Sequence, residues 1–120
     1  MVTSYRDLKV WKAAMELAEL VYGETTRFPP REAYGLRQQL EKAAVSVPSN
    51  IAEGHARDST KEYLHHVSIA LGSLAELETQ TILALRLKYF DQGGSDKILT
   101  AADEVGKMLR GIQKSLKARL

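Results

Sequence analysis

The sequence has 120 residues, 44% hydrophobic and 27% charged, a composition that fits one domain with a single core and excludes a disordered or fibrous chain. It has no cysteine, which excludes a disulfide framework and a thiolate metal site and accords with a cytoplasmic location, and its formal charge of +2 is too small by itself to imply a polyanionic partner. MVTSYRDLKVW carries no apolar signal core and no run nears the ~18–20 apolar residues that span a bilayer, so neither secretion nor a membrane partner is expected. The charge is uneven: residues 95–120 hold six basic and three acidic side chains, whereas residues 1–94 hold 11 and 12.

Apolar spacing predicts an all-α fold, an antiparallel up-down-up-down four-helix bundle forming one domain over 1–120, with helices over about 5–26, 32–53, 60–88 and 95–118. In the first, Leu8, Trp11, Met15, Ala18 and Tyr22 follow a 3, 4, 3, 4 spacing that marks one helix face, broadened by Ala14, Leu17 and Val21. Pro29 and Pro30 end it. In the second, Ala33, Leu36, Leu40, Ala43, Val47 and Ile51 form the stripe, and Gly54 is placed as a C-terminal stop. Pro48 removes an amide donor, yet Ile51 keeps the phase of Leu40, Ala43 and Val47, so a continuing, kinked helix is expected rather than two helices.

Ser59-Thr60-Lys61-Glu62 fits a capping box that opens the third helix. Tyr63, Val67, Ala70, Leu71, Leu74, Thr81 and Leu85 form its stripe, while Ile69, Leu83 and Leu87 lie roughly opposite. Two apolar sides imply a central helix or one that packs a neighbouring subunit. After the DQGGSD loop, Ser95 is expected to cap the fourth helix, whose stripe is Ile98, Ala101, Ala102, Val105, Met108, Leu109, Ile112 and Leu116.

Two polar rows border these stripes: Gln39, Ser46, Asn50 and Glu53 on the second helix, and Ser73, Glu76 and Gln80 on the third. Polar groups edging a core need partners, so the rows are expected to bond each other or a neighbouring subunit, with a small-molecule pocket as the functional alternative. Glu78 falls among Leu71, Leu74 and Leu85 and calls for a donor, for which Arg37 is one candidate.

Chemistry-bearing motifs do not assemble. Glu62-x-x-His65 matches half of a di-iron bundle motif, but the second copy and the further glutamates are missing. Adjacent His65 and His66 point about 100° apart on a helix. Neither a phosphate loop nor a nucleophile elbow occurs. No catalytic residue, metal site or cofactor is expected, and the chain is not expected to be an enzyme. The strongest feature is a basic face: Lys107, Arg110, Lys114 and Lys117 follow a 3, 4, 3 spacing opposite the core stripe, and Arg119 extends it. Such a strip suits the phosphates of RNA or DNA; cations also complement a helix C-terminus and keep a surface solvated.

Three stretches, DLKVWKAAMELAELVY, FPPREAYGLRQQLEKAAVSVPSNIAEG and STKEYLHHVSIALGSLAELETQ, resemble the proteins encoded in intervening sequences of bacterial 23S rRNA genes. The accessory variability determinant of diversity-generating retroelements shares their superfamily. The resemblance covers about residues 5–90 and matches the fourth helix only loosely. It implies a bundle that assembles as a homopentamer and associates with nucleic acid. It marks Asn50, Glu53, Gly54, Ser73, Glu76 and Glu78 as signature positions, to which we assign structural roles. The expected function is a non-enzymatic, self-associating bundle that binds RNA or DNA non-specifically; the alternative is a protein-interaction scaffold with a protein partner and no nucleic-acid role.

Overall fold

In a computed structural model that describes residues 4–120, the apolar spacing resolves into helices α1 (Lys9–Thr25), α2 (Leu36–Ala56), α3 (Thr60–Arg86) and α4 (Gln92–Lys117). Residues 1–3 of the predicted domain lie outside the described residues. Each helix packs against its two sequence neighbours in a closed cycle, α4 returning to α1. Cross-helix contacts give the directions. Ser46 meets Ser73 and Asn50 meets His66, so α2 and α3 are antiparallel. Glu24 lies beside Gly94 while Lys9 lies beside Met108 and Gly111, so α1 and α4 are too. Thr25 meets Glu41 while Trp11 shares a groove with Ala52, so α1 and α2 are antiparallel as well, and the result is an up-down-up-down bundle of 45 × 23 × 21 Å. Leu17, Leu40, Ile51, Leu77, Ile98 and Leu109 are its largest fully enclosed side chains. No described helix is long and apolar enough to cross a membrane.

The helix boundaries shift where side chains capture backbone amides. Tyr5–Asp7 is a separate 3-10 turn capped by Ser4, and extended Leu8 divides it from α1, so the first helix begins at Lys9 and not near Tyr5. Pro30–Glu32 forms another such turn; Glu32 Oε1 accepts the Leu36 amide at 2.9 Å, and α2 starts at Leu36, not near residue 32 as expected. The capping box opens α3 as predicted, with the Glu62 amide donating to Ser59 Oγ at 3.0 Å. Asp91 replaces Ser95 as the cap of α4, accepting the Gly94 amide at 2.7 Å. Ser95 lies one turn inside the helix, buried, with no protein partner for its hydroxyl.

Pro48 sits inside an unbroken α2 and is buried. Gly54 does not end that helix. It lacks a left-handed conformation and serves close approach: a Cβ there would lie 2.7 Å from the Cβ of His66 and 3.3 Å from the Tyr63 carbonyl. The left-handed turn falls at Lys88 (φ 64°), where the Tyr89 and Phe90 amides fold back onto the Ala84 carbonyl and close α3.

The core of α1 is the Ala14/Leu17/Val21 flank of the predicted face, not its Trp11/Met15/Tyr22 line. Val10, Ala14, Leu17, Ala18 and Val21 are buried, while Met15 and Tyr22 are 37% and 46% exposed and Trp11 is half-buried. At about 100° per residue, Trp11, Met15 and Tyr22 lie more than ~100° around the helix from Leu17. Two stripes with helical spacing exist on α1, and packing against both α2 and α4 selects the one between them. Met108 of α4 is likewise 38% exposed. α3 occupies a corner of the bundle and is not central: its Val67/Leu74/Leu77 face is buried, and Ile69, Leu83 and Leu87 remain outside.

Candidate nucleic-acid interface

The Val105/Leu109/Leu116 stripe anchors α4 in the core, which turns the opposite face to solvent. Lys107, Arg110, Lys114 and Lys117 are all exposed there, and Arg119 follows just beyond the helix. Lys107 reaches Asp103 at 3.2 Å, an exposed pair one turn apart that contributes little. The other four cations form no ion pair among the described residues. Lys114 and Lys117 also occupy the last turn, where the helix dipole favours positive charge.

The two polar rows meet only in part. Ser46 Oγ lies 2.8 Å from Ser73 Oγ across the α2–α3 seam. Asn50 Nδ2 donates to the Ser46 carbonyl at 2.8 Å and to Ser46 Oγ at 3.0 Å. Asn50 Oδ1 lies 3.1 Å from His66 Nδ1. An amide oxygen only accepts, so Nδ1 carries the proton and Nε2 turns toward Glu53 Oε2, 3.8 Å away. Glu53 accepts from Arg57 at 2.8 Å; that bond holds its carboxyl below the usual range, against a smaller opposing effect of desolvation. The row therefore runs Ser73, Ser46, Asn50, His66, Glu53, Arg57.

His66 was missed by sequence reasoning, although its sevenfold spacing to Ser73 and Gln80 places all three on one side of α3. Gln39 and Glu76 are exposed and stand apart from the row. Gln80 is buried with its Oε1 unpartnered. Glu78 is half-buried and forms no ion pair among the described residues, because Arg37 turns to Glu41 at 3.1 Å on its own helix. Glu41 in turn accepts the hydroxyl of enclosed Thr25 at 2.6 Å, which ties α2 to α1. Among the described residues no cluster of three histidine or carboxylate side chains could hold a metal.

Two further surfaces were not legible in the sequence. The displaced stripe of α1 forms an open apolar groove of about 460 Å³ with α2, lined by Tyr5, Trp11, Met15, Tyr22, Val45 and Pro48. At one end of the bundle, Leu8 before α1 and residues of α2, α3 and α4 surround a shallow depression of about 250 Å³ containing Leu8, His55, Tyr63, Leu116 and Arg119. Burial pushes the Tyr63 phenol up, and His55 packs edge-on against its ring at 5.8 Å.

Comparison with known proteins bears on the whole fold. Residues 6–111 match the family model described as 23S rRNA-intervening sequence protein. The match runs past residue 90 and takes in most of α4, including Lys107 and Arg110, but stops before Lys114, Lys117 and Arg119. No curated protein matches the chain. Among solved structures, a protein of unknown function from the S23 ribosomal protein family of Bacteroides thetaiotaomicron superposes with a TM-score of 0.81 at 22% identity, covering 88% of this chain and 98% of that one. At that identity the likeness is one of fold.

Proposed function

The chain belongs to the 23S rRNA-intervening sequence protein family, and from that premise we propose a non-enzymatic, self-associating helical bundle that binds RNA or DNA non-specifically through its basic surface. The observation that carries this reading is the outer face of α4, where Arg110, Lys114 and Lys117 are exposed together, with Arg119 just beyond the helix end, all without ion-pair partners among the described residues. Cations in such a strip neutralise successive phosphates and release their counterions, a driving force that ignores base sequence. The chemistry needs no cofactor. The setting is the cytoplasm, in keeping with a chain that has no cysteine.

Self-association draws on the two uncovered apolar surfaces, the Trp11/Met15/Tyr22 groove and the Ile69/Leu83 side of α3. They are different surfaces of one chain, so pairing one with the other on a neighbouring copy is heterologous, a contact that forms a ring when its rotation closes. A pentamer is the order implied by the family resemblance. Fluorescence anisotropy of a labelled rRNA-like stem-loop and a labelled DNA duplex across a salt series, with light scattering on the same sample, tests both parts. Binding whose log affinity falls linearly with log salt, and which Lys107→Glu/Arg110→Glu/Lys114→Glu removes, is the expected result. No binding at low salt by an intact oligomer refutes it.

The second reading is a protein-interaction scaffold. It is favoured by the aromatic and methionine lining of the groove, since those residue types are enriched at protein interfaces. On this reading the α4 reversals are silent, while Ile69→Asp or Leu83→Asp dissociates the assembly.

A further inference from the structure

We infer that the nucleic-acid surface is one whole end of the bundle, to which α1, α3 and α4 contribute cations, and not the α4 face alone. This rests on the nucleic-acid reading above and enlarges its site. The antiparallel order brings residues 4–16, 47–72 and 106–120 to the same end. That half holds ten lysines and arginines against five acids, a net charge of +5; the other half of the described chain holds seven against ten, a net of −3. All three histidines, at 55, 65 and 66, also lie in the basic half. The chain's modest overall charge of +2 thus conceals a strongly polarised molecule.

The two ends differ in availability as well as sign. Lys9 and Lys12 on α1, Lys61 on α3, and Lys114, Lys117 and Arg119 are exposed and form no ion pair among the described residues. Some acids of the opposite end are engaged within the chain, while Glu19, Glu76 and Glu104 are exposed and form no ion pair among the described residues. Glu41 holds Arg37 and Thr25, Glu32 accepts from the Leu36 amide and the Tyr89 hydroxyl, and Asp91 caps α4 and pairs with Arg27 at 2.9 Å. A partner for the basic end must bring dense negative charge, which the closely spaced phosphates of a nucleic acid supply. The bundle is 23 × 21 Å across, wider than the ~12 Å major groove of B-DNA, so cations around its rim reach phosphates on both sides of one groove.

The test compares the wild type and three variants of the full chain, each checked for helical content by circular dichroism, for binding to a labelled DNA duplex over a salt series. Lys9→Glu/Lys61→Glu alters two helices remote in sequence from the α4 strip. Arg86→Glu/Lys97→Glu makes the same charge change at the opposite end, beyond the ~8 Å screening length of physiological salt. Expected is a log–log salt slope about 2 units shallower for the Lys9/Lys61 variant, from ~0.9 per lost phosphate contact, and an unchanged slope for the opposite-end variant. Lys9→Gln/Lys61→Gln, which adds no repulsion, is expected to lose the same slope. If the wild type binds with a steep slope that Lys9/Lys61 reversal leaves intact, the end-wide site is wrong while α4 binding stands. Equal losses in both reversal variants also overturn it, since net charge alone then sets affinity. If the wild type does not bind, the nucleic-acid reading fails and this inference with it.

Discussion

Gly54→Ala is the most incisive test of the packing. Alanine is normally the better helix residue by about 1 kcal/mol, and Gly54 lies inside α2 with ordinary helical geometry, so local propensity predicts stabilisation. The α2–α3 seam predicts the reverse. A new Cβ would meet the Cβ of His66 at 2.7 Å and Tyr63 Cδ1 at 3.1 Å, against an ordinary contact of 3.4–4 Å. Neither obstacle is a free side-chain end, so the helices must separate by several tenths of an ångström, loosening Ile51 and Val67, both 1% exposed. Overpacking of this kind costs about 1–3 kcal/mol, and the rigid neighbours here place it near the upper end. The expected net loss is about 2 kcal/mol, or a fall of roughly 6–10 °C in Tm for a chain this size. Gly72→Ala is the matched control: a Cβ there meets nothing within 4 Å, so propensity acts alone and Tm should rise by a few degrees. Thermal melts followed at 222 nm, at one protein concentration, read both. A Gly54→Ala protein that melts at or above the wild type refutes close approach as the reason for this glycine.

Other predictions concern the core, the seam and the helix starts. Leu40→Ala, at a fully enclosed position, should cost about 2–5 kcal/mol in urea denaturation with the slope against urea unchanged. Asn50→Ala should cost about 1–3 kcal/mol because it strands the His66 N–H, and a double-mutant cycle with His66→Ala should show coupling between the two residues; simple additivity would remove the bridge from the account. Acid should weaken the fold. Hydrogen bonds from the Gly94 and Leu36 amides hold the carboxyls of Asp91 and Glu32 below their ordinary range, and the Arg57 bond does so for Glu53. A depressed folded-state value means that stabilisation is complete above the unfolded carboxylate range and is lost as pH falls from that range through the lower folded-state value. Tm should therefore decline below about pH 4, and the Asp91→Asn protein should show a smaller decline.

Helix α3 shows how far sequence reasoning reaches. Ser59 and Glu62 define its start, and the spacing of Val67, Leu74 and Thr81 identifies its buried side; these are properties of neighbours along one helix. The fourth helix start differs from the expected one because Ser95 and Asp91 both suit a cap, and it is Asp91 that accepts the Gly94 amide while Ser95 is buried one turn inside the helix. His66 escaped notice because its partner Asn50 lies 16 residues away. The basic strip of α4 was legible because its spacing lies in one helix, whereas its continuation through Lys9 and Lys61 was not.

By itself, the sequence determined the helical class, the number of helices, the continuity of α2 through Pro48 and the amphipathic character of α4, since each follows from spacing and local hydrogen bonding within about one or two turns. Only the tertiary structure decided which stripe of α1 enters the core, why residue 54 is glycine, and where charge collects. Those outcomes depend on the distance between backbones and on which helix ends share one end of the bundle, and periodicity along a single chain carries neither quantity.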